Sequence, residues 1–70
     1  MKYREAARKL RALGCEELPR RSGGSHRKWH NPAIGRIAPV PDWGNKDLKV
    51  GTLRAIVKQL GLAWEDFQQA

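Results

Sequence analysis

His26, His30 and Cys15 are the side chains of this 70-residue sequence whose types suit acid–base, nucleophilic or soft-ligand chemistry near neutral pH. His26 follows Gly23-Gly24-Ser25 and stands in the most basic part of the chain. Imidazole titrates near 6.5 when unperturbed, so it takes and returns a proton at neutral pH without a large environmental shift. Glycine tolerates positive φ and close backbone approach, so the Gly-Gly pair reads as a turn entering a strand that starts at His26. Gly24 and Ser25 would position the imidazole, and a side chain at 24 would misplace it. That arrangement suits proton transfer on RNA.

The other chemistries are weaker. A structural zinc site wants four ligands, and a catalytic one three with an open position. On a strand, His26 and His30 would be roughly 13 Å apart along the backbone, too far to share an ion easily. Neither a metal nor a cofactor is expected. Cys15 lies where the first helix should end, and a helix C-terminus raises a thiol pKa, so it reads as a half-buried apolar residue rather than a nucleophile. A single cysteine cannot form an intrachain disulfide, and no secretory segment is evident, which together point to a reducing cytoplasm. No apolar run is long enough to span a membrane, and no membrane partner is expected.

Fourteen Lys and Arg against seven Asp and Glu give a net charge of +7. Placement says more than the total: residues 1–36 carry ten basic groups against three acidic ones, while residues 37–70 carry four of each. A basic field concentrated around the histidine stretch is the footprint of a protein that meets a polyanion, nucleic acid first among candidates. Seventy residues allow one small domain, spanning 1–70, with a core too small to enclose a deep pocket. Any active site should therefore lie on an open face.

Around the histidine, the elements are readable. Tyr3, Ala6, Ala7, Leu10 and Leu13 recur at helical spacing, so Lys2 to Leu13 is an amphipathic helix stopped by Gly14. Cys15 to Arg21 is a weak strand, confined to an edge by Pro19, which lacks a ladder donor. Ser25 to His30 alternates, with His26, Lys28 and His30 on one face and Ser25, Arg27 and Trp29 on the other. Trp29 is expected to anchor the core. After the Asn31-Pro32 turn, Ile34 to Val40 is a third strand of ambiguous facing. Residues 41–49 are loop, in which Trp43 reads as a cover for the sheet edge in preference to a contact with a partner. Val50, Leu53, Ile56, Val57 and Leu60 mark a second helix stopped by Gly61, with the Thr52 hydroxyl available to its first turn. A short helix from about Leu62 to Phe67 should fold Trp64 and Phe67 back. The sum is an α+β domain: helix, three-stranded antiparallel sheet, helix and short C-terminal helix, the helices on one sheet face.

Cleavage of RNA needs little from a protein, because the ribose 2′-hydroxyl is the nucleophile. A proton acceptor, a proton donor and cations facing the phosphate suffice. His26 is the candidate acid or base, with Arg21, Arg27 and Lys28 as phosphate contacts and His30 as a lesser proton-transfer group. The alternatives are a non-catalytic RNA-binding module of the same fold and a protein whose basic face meets an acidic protein partner.

Arg21-Ser22-Gly23-Gly24-Ser25-His26 resembles the R-x-x-G-S-H signature of the HicA toxin family. Val40-Pro41, followed by Asn45 to Ile56 with its Gly51-Thr52-Leu53-x-x-Ile56 core, resembles that family's second block, and the likeness covers essentially the whole chain. Asp42-Trp43 stand where members often carry a further histidine. The resemblance implies a fold like that of double-stranded-RNA-binding domains and the activity of a messenger-RNA interferase, with His26 catalytic. It also implies a HicB-type antitoxin partner that covers that histidine.

Overall fold

Alternation along one strand organises the molecule. In the computed structural model, which describes residues 1–19 and 26–70, the chain runs α1 (Tyr3–Ala12), β1 (Glu16–Glu17), β2 (His26–Asn31), β3 (Arg36–Pro41), α2 (Val50–Gln59) and α3 (Trp64–Gln69). β2 is the middle strand of an antiparallel sheet in the order β1-β2-β3. Its Trp29 and Asn31 are buried and its Arg27 is half-buried, whereas His26 and Lys28 are exposed. Successive strand residues face opposite ways, so one face of β2 belongs to the core and the other to solvent. On β3, Ala38 and Val40 face inward beside Trp29 and Arg27, their register partners.

The inward residues join Ala6, Ala7 and Leu10 of α1, Leu53, Ile56 and Val57 of α2, and Phe67 of α3 in one core cluster. Trp29, Phe67, Leu10, Leu60 and Val40 are its largest fully buried side chains. The α+β order and the single-faced helical layer expected from sequence are both present. Among the described residues, no helix is long and apolar enough to cross a membrane.

Both long helices stop where glycine permits it. Gly14 and Gly61 have φ of +90° and +72°. Cys15 N–H reaches Leu10 O while Gly14 N–H reaches Arg11 O, and the same double pattern ties Leu62 to Val57 and Gly61 to Lys58. These are Schellman closures, which satisfy the last helical carbonyls. Asn31 then locks the hairpin to the second closure. Its Nδ2 donates to Leu60 O at 2.7 Å, and its Oδ1 accepts from Ala33 N at 3.2 Å.

Some details differ from the sequence reading. β1 is two residues long, Glu16–Glu17, and stops before Pro19. Leu18 N–H still donates to Lys28 O, but Pro19 has no donor to continue the ladder. Val50, assigned to the apolar stripe of α2, is exposed because it precedes the turn that packs. The N-cap residue of α2, Lys49, makes no side-chain capping bond. Trp43 is 42% exposed rather than covered.

Candidate acid–base site and nucleic-acid interface

β2 sorts its polar residues by parity. His26, Lys28 and His30 stand on the outward face, opposite Pro41, Pro39 and Ile37 of β3. His26 and Lys28 are exposed. His30 is half-buried, with Nδ1 3.1 Å from Glu16 Oε1. The edge-strand carboxylate thereby holds the second histidine and leaves the first to solvent. Two prolines on β3 keep this face free of long side chains beside His26 and Lys28.

Arg27, between them in sequence, faces inward. Its Nη1 donates to Glu17 Oε2 at 3.1 Å. Its Nε lies 2.8 Å from Asp42 Oδ2, an ion-pair distance, although the N–H is not aligned for a hydrogen bond. The guanidinium also stacks over the Tyr3 ring at 5.3 Å. Tyr3 Oη donates to Glu17 Oε1 at 2.9 Å and accepts from Trp29 Nε1 at 3.1 Å. Burial pushes the Tyr3 phenol up to about 12. Trp29, Tyr3, Glu17, Arg27 and Asp42 thus form a continuous polar chain beneath the sheet, in which hydrogen bonds pair Trp29 Nε1, the Tyr3 hydroxyl and Arg27 Nη1 while Arg27 Nε has only the ion pair with Asp42.

That chain reaches the outer site through Asp42. One carboxylate oxygen of Asp42 engages Arg27 and the other accepts from Gly44 N at 3.1 Å, while Lys46 N–H closes on Trp43 O. Gly44 has φ +63°, which the turn requires. The Trp43 side chain is consequently carried outward. It lines an open groove of about 550 Å³ with His26, Pro39 and Pro41 on one side and Gly51, Thr52, Ala55, Ile56 and Gln59 of α2 on the other. Gln59 Nε2 donates to Ile37 O at 3.0 Å, pinning α2 to the sheet at the far end.

Among the expected site residues, His26 and Lys28 share a face and Arg27 does not. Arg21, Gly24 and Ser25, with the Gly-Gly turn as a whole, lie outside the described residues. Cys15 is buried, and burial pushes its thiol pKa up, away from nucleophilic use. Sequence reasoning missed the wall of the groove. The signal for Trp43 was a tryptophan in a Pro-Asp-Trp-Gly turn, a place where an aromatic ring has little backbone to fold against.

A comparison with curated proteins and a comparison with solved structures each found no match. A family model does: residues 3–62 match that of the HicA toxin of bacterial toxin–antitoxin systems, an interval that takes in α1, the sheet, the groove and α2. The chain belongs to the HicA toxin family.

Proposed function

We propose that this toxin is a metal-independent endoribonuclease that acts on messenger RNA, with His26 as its general acid or base. The observation that carries this reading is the exposed imidazole of His26 on the same sheet face as Lys28 and at the mouth of the groove. In the reaction, the ribose 2′-oxygen bonds to the adjacent phosphorus and the phosphorus–5′-oxygen bond breaks. The proton leaves the 2′-hydroxyl and one is delivered to the departing 5′-oxygen. His26 performs one of those transfers and solvent the other, because His30 is held by Glu16 four residues along the strand. Lys28 faces the charge on the phosphate.

Arg21 is proposed as a further phosphate contact, with Gly24 and Ser25 as the turn that presents His26. Arg27 is assigned a positioning role, through the carboxylate that shapes the Trp43 turn. The natural inhibitor is proposed to be a HicB-type antitoxin that covers the His26 face, and the site of action the cytoplasm.

The test is RNA cleavage by the purified protein beside its His26→Ala variant, prepared identically and in excess chelator. The expected result is a rate lower by about 10²- to 10⁴-fold in the variant, with RNA binding retained. Equal cleavage by both would remove His26 from the chemistry. Absence of cleavage in both, with intact binding, would favour the non-catalytic RNA-binding reading.

A further inference from the structure

We propose that the groove beside His26 holds one unpaired nucleotide, its base stacked on Trp43, so that the protein selects single-stranded RNA at the position next to the reacting phosphate. This rests on the RNA-acting role proposed above and adds to it the kind of RNA taken. Three independent features of the groove point the same way.

The first is the wall. Trp43, Pro39, Pro41, Ala55 and Ile56 make it largely apolar, and Trp43 is 42% exposed. The other two tryptophans are not comparably available: Trp29 is fully buried, and Trp64 is half-buried against Phe67 with Arg54 over its ring at 4.6 Å. A base offers a flat π face of matching character, whereas a paired base within a duplex does not present one. At about 550 Å³ the groove falls within the ordinary range of small-ligand sites.

The second is Gly51. It lies in the first turn of α2, it has no positive φ, and a Cβ built there meets nothing within 4 Å. Nothing in the fold among the described residues requires glycine, and glycine destabilises a helix relative to alanine. A bare backbone facing a groove is explained when a ligand approaches it closely.

The third is charge. The first turn of α2 holds no acidic residue and its N-cap gives no side-chain cap, so its N–H groups present partial positive charge at the Gly51 end. Lys28 stands next to His26 on the sheet side. An apolar wall with positive ends complements a base flanked by phosphates. Because His26 lines the same groove, the bound base belongs to the nucleotide adjoining the bond on which it acts.

The experiment measures binding of a short single-stranded 2′-fluoro RNA, which lacks the nucleophile and stays intact, together with a set bearing one abasic residue at each position in turn. The wild type should lose roughly tenfold in affinity at one position. Trp43→Ala should lose a similar factor on the intact strand and nothing further at that position, and Trp43→Phe should recover most of it. Gly51→Ala should bind several-fold more weakly while melting no lower than the wild type, a combination that a purely structural glycine would not give. The same sequence as a continuous duplex should bind less well. Affinities that do not change in Trp43→Ala, or losses that simply add at every abasic position, would overturn the proposal and leave the groove as a protein contact. Abasic coupling to Trp43 alongside full cleavage by His26→Ala would instead keep the groove and discard the catalytic reading.

Discussion

The two faces of β2 are built from similar residue types and end in opposite conditions. Beneath the sheet, Arg27 is held between Glu17 and Asp42, Trp29 donates to Tyr3, and Asn31 spans from the hairpin turn to the end of α2. On the other face His26 and Lys28 stand exposed, and His26 lines the groove that Pro39 and Pro41 share with α2. Arg27 and Lys28 are neighbours in sequence and both cationic, yet one is structural and the other is free to meet an anion. Parity along a strand decides which cations of a basic protein are available, and net charge alone does not reveal it.

The largest way to break the inner face is Trp29→Ala. The indole is fully buried and supports Tyr3, so the loss should be about 3–5 kcal/mol. For a chain of this length that would lower the melting temperature by tens of degrees. Urea unfolding measures it directly, and a loss below about 1 kcal/mol would mean that the inner face is not the core of the fold. Asn31→Ala comes next, leaving the buried Leu60 O without its partner and removing the hairpin bond from Ala33 N–H, at a cost of about 1–3 kcal/mol. Neither stability loss should be seen in Trp43→Ala, whose ring stands on the outer side.

A smaller effect appears at high pH. The Tyr3 phenol holds its proton up to about 12, chiefly because it is buried, with Glu17 accepting its hydrogen bond. The unfolded phenol titrates near 10. The folded state therefore binds that proton more tightly, and the resulting stability is complete below about pH 10 and fades as pH rises from there towards 12. Denaturation measured at pH 9 and pH 11 should show the decline in the wild type and a weaker one in Tyr3→Phe. An unchanged slope would place the titrating group elsewhere.

Much of this arrangement was legible in the sequence. The period of α1, the stops at Gly14 and Gly61, and the alternation that puts His26, Lys28 and His30 together all follow from spacing. Trp29 was readable as a core anchor because it is the large apolar residue in an otherwise polar strand. Arg27 was not separable from Lys28 by composition, because its carboxylate partners come from β1 and from the loop after β3, which only the folded chain brings together. Trp43 was misread for a related reason. The Asp42 turn aims its ring outward, and that turn depends on the long-range contact with Arg27.

The most direct test of the division between faces is to change the two adjacent cations separately, as Arg27→Gln and Lys28→Gln, and to record melting temperature and salt-dependent RNA binding for each. Arg27→Gln should melt lower, because it removes the cation that Glu17 and Asp42 share. Lys28→Gln should melt like the wild type but bind RNA several-fold more weakly, with the salt slope shallower by about 0.7 for one lost single-strand phosphate contact. The reverse pattern, with Lys28→Gln unstable and Arg27→Gln carrying the changed salt slope at an unaltered melting temperature, would contradict the account.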